Sequence, residues 1–193
     1  MEIVNENEAV TELARISEAF LHGLVFYPTD TVYGIGCSAY SEHLVLRVGE
    51  SKGRPVGKPL SVIAPSLEWI HEYCIVSGGA QGWLQKLPCP YTLIFKRRKD
   101  GKLAQSLNLV DPEVVGVRIP DHWIREAIAL AGVPIVTTSV NMHGEGPPAT
   151  TLEDIPKSMI PYLDLAIQAG TLSGHPSTIV DLRNEEPVTR ARL

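Results

Sequence analysis

Lys52, Arg54 and Lys58 place three cations within seven residues of the stretch Glu50-Ser-Lys-Gly-Arg-Pro-Val-Gly-Lys-Pro-Leu60. Gly53 and Gly57 allow the backbone to approach a ligand closely, and Pro55 and Pro59 bias the residues before them toward extended conformations. The expected product is a shaped cationic loop at the mouth of the apolar run Leu60-Ser-Val-Ile-Ala64, which reads as a buried strand. Phosphate is the ligand that suits it, and a solvated basic turn is the plainer alternative. A Walker loop, G-x-x-x-x-G-K-[ST], and a G-x-G-x-x-G opening a helix are both absent from the sequence, so a nucleotide site here is of another kind.

Two hydroxyl-rich stretches follow strands. Thr29-Asp30-Thr31-Val32-Tyr33 precedes Gly34 and Gly36, and Thr137-Thr-Ser139-Val-Asn141 ends the run Val133–Thr138. Residues two apart in extended chain point the same way, so Thr137, Ser139 and Asn141 can face one ligand. Thr29 to Thr31 could equally cap a turn. Arg118 interrupts the apolar strand Val114–Pro120. A guanidinium there needs a partner: either an internal Asp or Glu, or a bound carboxylate or phosphate.

The elements that must position these groups alternate. Asn5, with Glu8 three residues on, starts an amphipathic helix carrying Val10, Leu13, Ile16 and Phe20 and stopped by Gly23. Leu24–Pro28 is a strand and Thr29–Gly36 a loop; Ser41–Gly49 is a helix. Ser66 caps a helix to about Cys74, Gln81–Leu87 is helical, and Tyr91–Phe95 is a strand ending in the basic run Lys96-Arg-Arg-Lys99. That run, continuing through Asp100-Gly101-Lys102, reads as a solvated hairpin turn. Asp121 caps a helix through Ala131, and Thr151–Ile155 opens a short one. Leu163–Gln168 and Ser177–Asp181 are strands, and Pro187–Arg192 is an edge strand. The alternation predicts an α/β fold with a mixed sheet in one domain spanning residues 1–193.

Composition sets bounds. With 193 residues, 44% hydrophobic, the chain can bury a sizeable core. A net charge of −5 disfavours broad, nonspecific duplex binding, so positive surface must be local. The acidic N-terminus and the lack of a long apolar run predict a cytoplasmic protein with no membrane partner. Cys37, Cys74 and Cys89, without C-x-x-C spacing, predict buried free thiols rather than a disulfide framework or a zinc site, and no protein metal site is expected.

Taken together, Tyr27-Pro-Thr-Asp-Thr-Val-Tyr-Gly-Ile-Gly36, Lys52-Gly-Arg54-Pro55 with Lys58-Pro-Leu60, Pro90-Tyr-Thr-Leu93, Gly116-Val-Arg118-Ile-Pro120, Ser139-Val-Asn141 and Ser177-Thr-Ile-Val-Asp181 resemble the YrdC/Sua5 family in order, from about Leu24 to Arg192. The resemblance implies an open, twisted, mixed parallel/antiparallel sheet with flanking helices and a basic concave cleft. It also implies synthesis of L-threonylcarbamoyladenylate and pyrophosphate from L-threonine, bicarbonate and ATP with Mg²⁺. The product serves modification of adenosine 37 in tRNA, so a downstream tRNA threonylcarbamoyl-transferase and contact with tRNA or double-stranded RNA are implied partners.

By the same resemblance Lys52, Arg54, Ser139 and Asn141 form the catalytic, phosphate-facing tetrad. Lys58 and Arg190 are further ATP contacts. Thr31, Tyr33, Arg118, Thr137 and Ser177 hold threonine. Two positions depart from the family pattern. Cys89 stands where a glycine separates two prolines, which asks a residue with a Cβ to adopt that glycine's conformation. Ile63 stands where many Sua5-type members carry a histidine. The alternatives are a YciO-like nucleotide- or RNA-binding protein without synthase activity, and a carbamoyl-adenylate-forming homologue like the YrdC-type domain of hydrogenase-maturation proteins.

Overall fold

The computed structural model describes residues 1–98 and 102–190. Of the turn predicted over Lys96–Lys102, Lys96 and Arg97 instead prolong the strand before it, and residues 99–101, like the end of the predicted last strand including Arg192, lie outside the described residues. Eleven strands form one sheet: β1 (Glu2–Asn5), β2 (Val25–Tyr27), β3 (Gly34–Gly36), β4 (Ser61–Ile63), β5 (Cys74–Ile75), β6 (Tyr91–Arg97), β7 (Val114–Arg118), β8 (Ile135–Ser139), β9 (Leu165–Gln168), β10 (Thr178–Asp181) and β11 (Val188–Arg190). Their order is β1-β9-β2-β3-β8-β4-β7-β6-β10-β11, with β5 on the end of β6. The sheet is mixed as expected. The β1/β9, β9/β2, β4/β7 and β6/β10 pairs are parallel and the others antiparallel.

Helices cover both faces. One core packs α2 (Leu13–His22) and α6 (Ile124–Ala131) against Val25, Tyr27, Ile63 and Ile135. The other joins α3 (Glu42–Ser51), α4 (Leu67–Tyr73) and α5 (Gly78–Leu84) to Phe26, Val62 and Val136. Neighbouring residues of β2, β4 and β8 thus serve opposite cores, the period-2 alternation of a strand buried on both faces.

The face under α2 and α6 changes character along its strands. On β4, Ile63 lies in the helix-covered core while Ser61, two residues back, pairs in register with Thr137 of β8. Beyond the helices the same face presents Ser61, Thr137 and Ser139 instead of Ile63 and Ile135, and an open cleft begins there.

Several expectations are corrected. The N-terminal residues form β1, and the first helix is two helices, α1 (Glu6–Thr11) and α2, parted at Glu12, where the backbone leaves helical geometry (φ −114°, ψ 40°). Asn5 does cap α1, accepting from the Glu8 N–H at 3.0 Å. Gly34–Gly36, expected in a loop, is a strand that packs so closely on its neighbours that Gly36 has no room for a side chain and Gly34 has little. A Cβ at Gly36 would sit 2.0 Å from the Val136 carbonyl oxygen, and one at Gly34 would sit 3.1 Å from the Tyr27 ring. Asp121 does not cap α6: its carboxylate pairs with Arg125, and His122 Nδ1 accepts from the Ile124 N–H. No helix forms at Thr151–Ile155, where the Asp154 carboxylate gathers the Thr150 and Thr151 N–H groups into a turn.

Candidate active site

The cationic loop runs from the end of α3 to β4. Lys52 is 2% exposed, and its Nζ donates to the Ser139 carbonyl at 2.5 Å, the Asn141 carbonyl at 2.7 Å and Asn141 Oδ1 at 3.2 Å. All three acceptors are neutral. Burial, with Arg54 beside it, holds the ammonium down to a pKa of about 8. Arg54 donates to the Pro59 carbonyl at 2.7 Å, its Nε is buried without a partner, and burial lowers its pKa too. Gly53 and Gly57 take φ of 57° and 83°, the left-handed region in which glycine is at ease, so the loop turns as its composition predicted. Lys58 Nζ lies 3.0 Å from His143 Nε2.

The opposite wall is the end of β8 and the segment after it. Ser139 Oγ donates to Asn141 Oδ1 at 3.0 Å, and Asn141 Nδ2 donates to the Glu145 and Gly146 carbonyls, each at 3.3 Å. The His143 N–H closes the structure by donating to the Lys52 carbonyl at 3.0 Å. Residues 87 and 89 positions apart in sequence are thereby held on one lysine.

Next to this cluster is the cleft, lined by Thr29, Thr31, Ser61, Thr92, Arg118, Thr137, Ser139 and Ser177 with Tyr33 and Pro176. Arg118, 5% exposed, forms an ion pair with Asp30 through Nη2 and donates from Nη1 to Thr31 Oγ1 at 3.3 Å. Its Nε is buried and unpartnered. Asp30 Oδ2 also accepts the Asp121 N–H at 3.1 Å, which fixes the carboxylate on two sides. Thr31 and Thr29 share a hydroxyl contact at 2.9 Å, as Ser177 and Thr92 do at 2.8 Å. The cleft is therefore polar without being acidic: among the described residues that line it, Arg118 is the charged one.

Of the predicted site residues, Thr31, Tyr33, Arg118, Thr137, Ser139 and Ser177 come together at the cleft. Lys52, Arg54, Lys58 and Asn141 form the adjoining cationic cluster. Arg190, exposed on β11, stands apart from both in an open groove with Pro59, Leu60, Ile94 and Ile179; that groove shares Ser61 with the cleft. Tyr33 meets the cleft with its ring side. Its ring stacks on Phe26, with centroids 4.4 Å apart, and its hydroxyl donates to the Gly170 carbonyl and accepts the Ala169 N–H.

Sequence reasoning passed over Asp30 as a turn residue and did not single out Ser61, Thr92 or His143. A signal existed for Thr92, which lies inside the Pro90–Leu93 motif, and for Asp30, since a buried arginine demands a carboxylate somewhere. Cys89 needs no glycine-like conformation, because no described residue other than glycine has a positive φ. All three cysteines are buried free thiols, with burial pushing Cys37 and Cys74 up to about 12, far from a reactive thiolate.

The Sua5/YciO/YrdC profile, described as telomere recombination, matches residues 21–192. The chain is 34% identical over 184 residues to a threonylcarbamoyl-AMP synthase of Xanthomonas campestris, covering 91% of both chains. It is 33% identical to the bovine threonylcarbamoyl-AMP synthase, covering 88% of this chain and 62% of that one. The crystal structure of Pyrococcus abyssi Sua5 complexed with L-threonine superposes with a TM-score of 0.83 at 27% identity, over 97% of this chain and 56% of that chain. The chain thus spans little more than half the length of the archaeal Sua5, and somewhat under two thirds of the bovine relative. By the span of the profile match and these identities, the chain belongs to the Sua5/YciO/YrdC family.

Proposed function

We propose that this protein is an L-threonylcarbamoyladenylate synthase, converting L-threonine, bicarbonate and ATP to threonylcarbamoyl-AMP, pyrophosphate and water. The observation that carries the reading is the buried Lys52 ammonium, held by neutral oxygens with no carboxylate, beside a polar cleft that contains one guanidinium. A buried cation without a counter-charge favours an anion, and the triphosphate supplies it. The names of the Xanthomonas and bovine relatives, and the threonine complex of the archaeal Sua5, support the same substrates.

In this reading threonine occupies the cleft. The Nε edge of Arg118 faces its carboxylate while Asp30 keeps the guanidinium in place, and the hydroxyls of Thr31, Thr137 and Ser177 surround the amino acid. The amine attacks carbon dioxide or bicarbonate to give a carbamate. A carbamate oxygen then displaces pyrophosphate from the α-phosphate of ATP. Both reactants are anions, so the protein's work is to bring them together and to stabilise charge on the leaving group. Lys52 and Arg54 do that, Ser139 and Asn141 hold Lys52 where cleft and loop meet, and Lys58 and Arg190 extend the nucleotide contacts.

Magnesium enters as the metal of MgATP. Its ligands would come chiefly from the phosphate oxygens and water. The product would pass to a tRNA threonylcarbamoyl-transferase in the cytoplasm. Among the described residues no helix is long and apolar enough to cross a membrane.

The test is pyrophosphate release from MgATP and bicarbonate with L-threonine, with L-serine, and without amino acid. Threonine-dependent release is expected. Release at the blank level from folded protein that still binds ATP would remove the synthase, and salt-sensitive RNA binding would then be measured.

A further inference from the structure

We propose that His143 is a phosphate-side residue that takes up a proton as the triphosphate enters the cationic loop. The inference rests on the reading of that loop as the phosphate site. His143 follows Asn141 by two residues, and its main chain is docked on the Lys52 carbonyl. Its Nε2 stands 3.0 Å from the Lys58 ammonium, which has protons to give and no lone pair to accept. In the free protein Nε2 must therefore be the acceptor, and the imidazole is neutral with its proton on Nδ1.

Partial burial disfavours imidazolium first, and the charges of Lys58, Arg54 and Lys52, all from the loop opposite, add to it. On its own segment the nearest carboxylate in sequence is Glu145, which lines a groove with Met142, Pro147 and Asp154; Asp154 is itself occupied by Thr150 and Thr151. Among the described residues His143 makes no ion pair. The ring is thus held toward its neutral form by burial and by a surplus of positive charge that is unbalanced only while phosphate is absent.

Entry of the triphosphate reverses that balance. Lys58 turns its ammonium to a phosphate oxygen, which strips Nε2 of its donor and leaves it facing negative charge. One proton then moves from solvent to Nε2, and the imidazolium donates it in a hydrogen bond to the phosphate chain. When pyrophosphate leaves, the surplus of cations returns and the proton goes back to solvent. Gly144 and Gly146, both at positive φ with open space around them, give the segment freedom to follow.

The experiment is calorimetric titration of MgATP into the protein, without threonine, at pH 7 in buffers of small and large ionisation enthalpy, for the wild type and for His143→Gln. Glutamine keeps an acceptor for Lys58 and cannot titrate. The wild type is expected to take up more protons than the variant, by a large fraction of one. Its ATP affinity should also gain on the variant's by up to about tenfold per pH unit on descending between the free and bound pKa values of the histidine. Equal uptake in two proteins that both bind ATP overturns the role of His143 and leaves the phosphate site standing. Failure of the wild type to bind ATP overturns both. The ring resonances of His143 followed by NMR through a pH titration give a second reading on the unaltered protein. Its pKa should rise when MgATP is added, and an unchanged or lower value defeats the proposal.

Discussion

Lys52 and Arg118 are both buried cations, and the fold has given them opposite company. Arg118 meets the Asp30 carboxylate, itself fixed by the Asp121 N–H, so its charge is balanced within the protein and one edge of its guanidinium is left for a ligand. Lys52 meets carbonyl and amide oxygens and, beyond them, another cation. The first arrangement orients without strongly attracting; the second attracts. A site that must join a zwitterionic amino acid to a polyanion has use for one of each, and the difference can be broken experimentally.

The largest effect should come from removing the balanced cation. Arg118→Met leaves Asp30 charged and mostly buried, a loss of about 3–5 kcal/mol of stability on the scale of broken buried pairs, read as a lowered denaturation midpoint. Lys52→Met should leave stability within about 1 kcal/mol, because relief of a buried charge offsets the loss of its hydrogen bonds. Equal destabilisation by the two variants would erase the comparison.

Turnover should rank them differently. Lys52→Met, which keeps its fold, should lose about 1.5–3 kcal/mol of transition-state stabilisation, roughly ten- to hundredfold in threonine-dependent pyrophosphate release. The milder Arg118→Lys should raise the threonine requirement more than the ATP requirement. Parallel changes in both would take Arg118 out of the amino-acid pocket.

Acidity sharpens the contrast further. Lys52 is held to about 8 in the fold against 10.5 for a free lysine, so between those values the unfolded chain binds more protons and stability should rise with pH. ATP needs the charged form, so its affinity should fall over the same window, by at most about tenfold per pH unit. Opposite slopes in denaturation and binding, both absent in Lys52→Met, are the expected pattern. The smallest effect belongs to Arg190→Ala. That side chain is exposed, and its loss should change ATP binding by about 1 kcal/mol or less, with no change for threonine.

The amino-acid order disclosed some of this and concealed the rest for physical reasons. Strands buried on both faces were visible as apolar runs, and the loop carrying Lys52 was visible from its glycines, prolines and charge. The Arg118 partner was not visible, because Asp30 lies 88 residues away and reads locally as a turn former. The strand Gly34–Gly36 was hidden because its glycines answer to steric limits set by Tyr27 and Val136, which no local propensity records. At Thr151–Ile155 the local signal favoured a helix, and the carboxylate of Asp154 claimed the same N–H groups for a turn. The proximity of Lys52 to Ser139 and Asn141 came from resemblance alone; spacing could not have supplied it.

The docking of the His143 amide on the Lys52 carbonyl has a further consequence. The segment after β8 and the cationic loop share that backbone link beside the Lys52 side chain's own bonds and the Lys58–His143 contact, so opening of one pulls on the other. The His143 amide is therefore a natural gauge of their coupled motion. In deuterated solvent it and the Asn141 side-chain amide should exchange together, and their slowing should report the moment at which both walls settle on a nucleotide.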